Sequence, residues 1–336
     1  MEIVSDMVRK DPKFLLDVAW LRRQLIDLPE AEKLSEVCAV FNPGGVLTPE
    51  GKVILILRFE TRRGNSGLVC CEIGDGEGRR VIPESLHFSL VDEGLEDPRV
   101  IWFDELKRYI ITYVVAKEHG SNVAFMITDD FTKEFERKGE ANFINEPNAL
   151  IHDKPNKDAC VLPVSIKIYG KRCFGLFHRP TIDEKRDIWF SYSSEPIQKR
   201  NLIDWEGHRC IAETKRGMFW DNSHIGLGTQ PVELPEEISK NLPKGFPLFY
   251  HGARGKVYRT GAMWFSLEDL KITHRSPQWL FGPTAGSLST IIFPCAAWYD
   301  PKTGEIVMYY GEDDECTKRC YWNARKLVSH LERHPV

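Results

Sequence analysis

The stretch Glu93-Gly-Leu-Glu-Asp-Pro-Arg99 gathers three carboxylates and a guanidinium around one proline. Pro98 fixes its own φ and disfavours helical backbone before it. Strand-like apolar runs follow at 100–103 and 109–115. Charged groups held on a short rigid turn beside buried strands suit a positioned acid. The same residue types also make an ordinary acidic turn with a local Asp–Arg ion pair, and the stretch alone does not separate the two.

Other groups that do chemistry are sparse. Nine cysteines are scattered without a CxxC pair, and neither Cys70-Cys71 nor Cys316 with Cys320 has the partners a zinc site needs. They read as reduced thiols of a cytoplasmic protein. Gly74-Asp-Gly-Glu-Gly78 lacks the Lys-Ser/Thr and helix of a phosphate-cradling loop and reads as a hairpin turn. Asp129-Asp130 could suggest a metal or stand in a turn, and the two residues alone do not decide. With a net charge of −4 over 336 residues and only short basic clusters, the chain has no field to recruit nucleic acid. The amino terminus lacks a basic-then-apolar leader, and no stretch is apolar enough for a membrane span.

The elements that must position such residues fall into two kinds. Residues 7–36 carry Phe14, Val18, Leu21, Leu25 and Leu28 at spacings of four and three, which predicts a helix interrupted at Pro29. This extension, residues 1–37, either packs on the body of the protein or forms a subunit contact in a homo-oligomer. From about 40 to 322, short apolar or alternating runs recur between turns such as Thr48-Pro-Glu-Gly51 and Asp300-Pro-Lys-Thr-Gly304. So many strands with hardly any helix predict an all-β domain over 38–336. Its length favours radial repetition, a β-propeller, over one sandwich. No strict period gives a blade count.

Several phrases stand in a specific order: Phe41-Asn-Pro-Gly-Gly45, Leu57-Arg-Phe-Glu60, Glu96-Asp-Pro-Arg99, Thr128-Asp-Asp-Phe131, Asn156-Lys-Asp-Ala159, His178-Arg-Pro180, Asp187-Ile-Trp189 with Ser191-Tyr-Ser193, Ile225-Gly226, Tyr250-His-Gly252, Tyr258-Arg259, Phe293-Pro-Cys295 and Tyr309-Tyr-Gly311 with Asp314. In that order they resemble glycoside hydrolase family 130, which contains inverting β-mannoside phosphorylases and some β-mannosidases. The resemblance implies a five-bladed β-propeller.

It also implies a chemistry. Inversion at a glycosidic bond needs an acid for the departing oxygen and a nucleophile on the opposite face of the ring. Inorganic phosphate is already an anion, so a phosphorylase needs cations rather than a second carboxylate. Asp97 matches the family's catalytic acid; it must carry a proton, which burial has to secure against Arg99, and delivery through a sugar hydroxyl is one route. Lys157, Arg179 and His251 match the basic set that holds phosphate. Asn42, Arg58, Glu96, His224, Tyr258 and Asp314 match sugar-binding positions, and Tyr258 and Tyr310 offer aromatic faces to a pyranose.

The chain departs from the family at His224, where lysine is common, at Asn65 before Ser66, and in a long segment over 233–247 expected to border the site. The resemblance thus implies a β-mannosyl oligosaccharide and inorganic phosphate as substrates, with no dissociable cofactor and no metal, since Asp129-Asp130 falls in a family phrase that occurs in a turn. The alternatives are a β-mannosidase that activates water with Glu96 or Glu233, and a catalytically silent glycan-binding propeller.

Overall fold

The structure is a computed structural model that describes residues 6–25, 36–74, 78–82, 94–118, 120–133, 135–147, 150–195, 197, 202–215, 217, 219–283 and 288–336. Glu93, the interior of the 74–78 turn and the second half of the expected N-terminal helix, with Leu28 and Pro29, lie outside the described residues. The fold is mostly β. One sheet runs in chain order through Val37–Leu47, Val53–Thr61, Ser66–Ile73 and Arg79–Val81. A ten-stranded sheet follows. It contains an antiparallel run from Gly94–Phe103 to Glu136–Phe143 and another from Asn156–Val161 to Leu202–Ala212, joined by parallel pairing of their last strands. A third sheet holds His224–Leu227, Gly245–Arg254, Val257–Ser266 and Lys271–Arg275.

The last sheet is Ile292–Asp300, Glu305–Glu312 and Cys316–Asn323, and its fourth strand comes from the other end of the chain. Val8–Leu16 pairs antiparallel with Cys316–Asn323, Val8 opposite Trp322 and Leu16 opposite Thr317. This corrects the helix expected over 7–36. Only Val18–Leu25 is helical among the described residues of that segment. Phe14 and Leu16 are buried while Leu15 between them is 41% exposed, the two-residue period of a strand. The 3–4 spacing that suggested one helix joins Phe14 of the strand to Val18, Leu21 and Leu25 of the helix by coincidence. Trp20, Leu21 and Leu25 pack with Val37, Leu55 and Tyr309 inside the chain, which is the packing on the body of the protein that was one of the two expected roles.

The five antiparallel runs are alike in one respect. The first strand of each gives residues from its start or up to its middle to one cavity and residues near or beyond its end to another. Asn42, Asp97, Lys157, His224 and Phe293 line the first. Val46, Ile101, Pro163, Gln230 and Trp298 line the second. Five strands therefore run the same way along a common axis. Gln230 closes the axis between them, donating from Nε2 to the Gly45 carbonyl at 2.9 Å and accepting from the Ala297 N–H at 3.3 Å.

Among the described residues no helix is long and apolar enough to cross a membrane. All nine cysteines are free thiols. Asp130 supports its own turn, accepting from the Thr132 N–H at 2.9 Å and its hydroxyl at 2.8 Å.

Candidate active site

Three of the first strands carry the same defect. In each, two residues bulge opposite a single partner residue: Asn42-Pro43 between the Phe41 and Gly44 pairings, Asp97-Pro98 between Glu96 and Arg99, and Asp158-Ala159 between Lys157 and Cys160. The leading residue of each bulge is left-handed, with φ of 46° at Asn42, 46° at Asp97 and 51° at Asp158. Asn and Asp tolerate that region better than other side-chain-bearing residues. Bulges of this kind re-aim a side chain out of its strand's alternation. The acidic stretch expected as a turn is thus a bulged strand, and the distortion turns Asp97 toward the axis. Gly44 makes the first two bulges compatible, because a Cβ there would stand 2.6 Å from the Pro98 carbonyl oxygen.

These bulges open on a cavity of about 260 Å³. Nine of the ten residues implied by the sequence resemblance line it: Asn42, Arg58, Asp97, Lys157, Arg179, His224, His251, Tyr258 and Asp314. The tenth, Glu96, bridges two of them from behind, accepting from Arg58 at 3.0 Å and from Lys157 Nζ at 2.7 Å. Asp97 Oδ1 accepts from Asn42 Nδ2 at 3.0 Å and from Arg58 at 3.2 Å. Arg99, fully buried, donates to the Asp97 and Pro98 carbonyls at 3.1 and 3.0 Å and to Leu227 O at 3.4 Å. It fastens the second run to the fourth across the axis.

Two electrostatic expectations are corrected. Burial pushes the Asp97 carboxyl up, but the Arg58 and Arg99 guanidiniums outweigh it and hold Asp97 below the usual carboxylate range. At neutral pH Asp97 is therefore ionised rather than protonated. His251, expected as a cation, is neutral: burial drives it down to about 3, although Asp158 pulls the other way. His224 behaves alike, lowered to about 4 by burial and then by Arg179. The carboxyl held high is Asp314, raised by burial and then by the charge of Asp97.

Two residues are removed from the site. Tyr310 is buried against Phe281, with centroids 5.0 Å apart, and offers no face to a sugar. Glu233 lines the cavity at the far end of the axis, with Val46 and Trp298. The segment over 233–247 therefore does not border the Asp97 cavity, and Glu233 cannot serve as a base there. Lys157 and Arg179 reach the cavity as direct partners in one strand pair.

The sequence reading missed four parts of the site. Asp158, 1% exposed, accepts from Arg179 Nε and lies 3.4 Å from His251 Nε2. Its signal was its position, the counterpart of Asn42 and Asp97 in another run. Phe293 stacks on His251 at 4.3 Å, and Ile291 also lines the cavity. The fourth part is a buried relay behind Arg179. His208 Nε2 faces the Ile144 carbonyl at 2.7 Å, and a carbonyl only accepts, so that nitrogen carries the proton. His208 Nδ1 then accepts from Ser191 Oγ at 2.7 Å, and Ser191 accepts from His178 Nε2 at 2.7 Å. His178 Nδ1 is left to accept from Asn156 Nδ2 at 3.0 Å, which points Asn156 Oδ1 at the Arg179 N–H, 3.1 Å away. One backbone carbonyl sets the polarity of the whole chain and pins the strand pair that carries Lys157 and Arg179.

Chemically, the cavity joins a carboxylate with an arginine and an amide upon it, a lysine and a second arginine, and an aromatic wall. Larger depressions lack this convergence, including one of about 690 Å³ lined by Lys117, Glu140 and Leu202.

Comparison with known proteins agrees with this arrangement. The model of the glycoside hydrolase 130 family, described as beta-1,4-mannooligosaccharide phosphorylase, matches residues 17–333. The chain is 24% identical to a beta-1,4-mannooligosaccharide phosphorylase of Ruminococcus albus over 95% of this chain and 92% of that protein. It is 28% identical to a 1,2-beta-oligomannan phosphorylase of a Thermoanaerobacter species, over 66% of this chain and 65% of the other. Among solved structures, the beta-1,2-mannobiose phosphorylase of Listeria innocua superposes with a TM-score of 0.70 at 20% identity, covering 89% of this chain and 93% of that one.

Proposed function

The chain belongs to glycoside hydrolase family 130, and from that premise we propose that it is an inverting glycoside phosphorylase that cleaves a β-mannoside with inorganic phosphate to α-mannose 1-phosphate. The five antiparallel runs are the five blades of a β-propeller in this reading, and the cavity is the mouth of its central channel. The observation that carries the reading is the convergence of Asp97, Arg58, Lys157 and Arg179 on one small cavity from three of those runs.

The mannosyl ring lies over Asp97, gripped by Asn42, Arg58 and Asp314, with Tyr258 and Phe293 as apolar walls. Phosphate sits toward Lys157 and Arg179, with neutral His251 as a hydrogen-bonding partner rather than a charge. Asp97 is ionised before binding, but a sugar excludes water from it and phosphate adds negative charge nearby. Both effects raise its pKa, so it takes up a proton as the complex forms. A phosphate oxygen then bonds to the anomeric carbon from the face opposite the departing oxygen. The carbon–oxygen bond breaks, and the proton passes from Asp97, directly or through a sugar hydroxyl, to the leaving alcohol. Phosphate is a co-substrate and no dissociable cofactor takes part; free thiols suit a cytoplasmic location.

The test is an assay of the purified protein on β-1,2- and β-1,4-linked mannobiose, with and without phosphate. Phosphate-dependent release of mannose 1-phosphate is expected. Phosphate-independent release of free mannose would replace this reading with a β-mannosidase, and glycan binding without turnover would replace it with a silent propeller.

A further inference from the structure

Asp158 is a buried carboxylate that the phosphorolytic scheme leaves without a task. It lines the same cavity as Lys157, Arg179 and His251, and its Oδ2 meets both Arg179 and His251. Its closeness to them is built in: a Cβ on Gly226 would stand 2.0 Å from Asp158 Oδ2 and 2.6 Å from the His251 ring. Among the residues lining the cavity, the cations Arg58, Lys157 and Arg179 are matched in number by the carboxyls Asp97, Asp158 and Asp314. An entering anion therefore gains no surplus positive charge. It also comes up against a carboxylate whose partners keep it ionised, and an ionised carboxylate only accepts hydrogen bonds.

That arrangement repels an oxyanion without a proton and holds one that has a proton to donate. Phosphate and arsenate keep an O–H at neutral pH; sulfate and selenate keep none. We propose that Asp158 makes the site selective for protonated tetrahedral oxyanions, accepting a hydrogen bond from the P–OH of bound phosphate while Lys157 and Arg179 hold the remaining oxygens. The proton stays on the phosphate, and no bond to it is made or broken. The inference rests on the phosphorylase reading and adds to it the means by which the co-substrate is told from sulfate of the same shape and size.

The experiment measures binding of phosphate, arsenate, sulfate and selenate to the whole protein at pH 7 by calorimetry, beside mannose 1-phosphate formation. Phosphate and arsenate should bind alike, with sulfate and selenate weaker by at least about 30-fold, the scale of a charged hydrogen bond replaced by an unpaired repulsion. In Asp158→Asn, whose amide can donate to sulfate, the gap should close by about tenfold or more. Sulfate binding within about threefold of phosphate in the wild type would overturn the proposal by itself, whatever the variant's fold. A folded Asp158→Asn with an unchanged gap would also overturn it. Phosphate-dependent turnover with no anion discrimination sinks this inference alone. Failure to bind or use phosphate sinks the phosphorylase reading and this inference with it.

Discussion

At the scale of single residues, the site works by pushing like groups apart. Asp97 and Asp314 face the same cavity, yet guanidiniums hold the first below the usual carboxylate range and burial lifts the second above it. Opposed environments of this kind assign different tasks to identical side chains. Replacing Asp97 with Asn should lower kcat by about 10²- to 10⁴-fold, with the circular dichroism spectrum unchanged. Because the charge of Asp97 is the second cause of the Asp314 shift, the same variant should bring the Asp314 pKa down. Carbon-13 NMR titration of labelled aspartates reads that directly, and an unmoved Asp314 would mean that the two carboxyls are not coupled.

At the scale of elements, the bulge is the device that matters. A regular strand would send Asn42, Asp97 and Asp158 alternately inward and outward with their neighbours; a two-for-one bulge with a left-handed leading residue aims each at the axis. Such residues cost on the order of 1–3 kcal/mol each and persist where surrounding contacts fix them. Here those contacts include the Arg99 staple and the relay from Ile144 to Asn156. Tight approach between elements is equally specific. Gly226→Ala would drive a methyl into Asp158 and His251, and overpacking of this kind costs about 1–3 kcal/mol. The expected outcome is a modest fall in Tm together with a kcat/KM lowered by about 100-fold, a loss of activity far beyond the loss of folded protein.

At the scale of the whole molecule, closure and charge decide stability. The chain's first strand completes its last sheet, so the two ends hold each other. Phe14 sits in that seam, 2% exposed and edge-on to Tyr309 at 5.1 Å. Phe14→Ala should cost about 3–5 kcal/mol in denaturant unfolding while leaving the kcat of the folded fraction unchanged.

The pH dependence follows from groups at the axis. Asp158 is lowered to about 2, because Arg179, His251 and Arg99 outweigh the burial that opposes them. Its folded pKa is depressed, so its stabilisation is present above the unfolded value near 3.8 and is lost as pH falls toward about 2. His251 is lowered to about 3 from 6.5, so below about pH 6.5 the unfolded chain binds a proton that the folded chain refuses. Stability therefore declines from about 6.5 downward, first through the histidine and then through the aspartate. Thermal melts between pH 7 and 4 should show Tm falling steadily; a flat profile would mean that His251 is not neutral in the fold.

The chain's linear order determined its strand-rich class and, through phrases such as Glu96-Asp-Pro-Arg99 and Tyr250-His-Gly252, nine of the residues that share the cavity. Turn chemistry and alternation are short-range properties, so local composition carries the strand-rich class; the site residues came through the likeness of those phrases to the family. The first strand was lost because Phe14 and Val18 happen to sit at helical spacing, and only its pairing partner, some 300 residues on, shows it to be a strand. Asp158 stayed hidden because the bulge it shares with Asn42 and Asp97 is a repeat of backbone shape, marked by barely two residues of sequence. Protonation states were also beyond the sequence: they depend on which charges folding brings within a few ångströms in a dry interior. Tertiary structure alone left Asp97 ionised, His251 neutral and Glu233 at the far end of the axis.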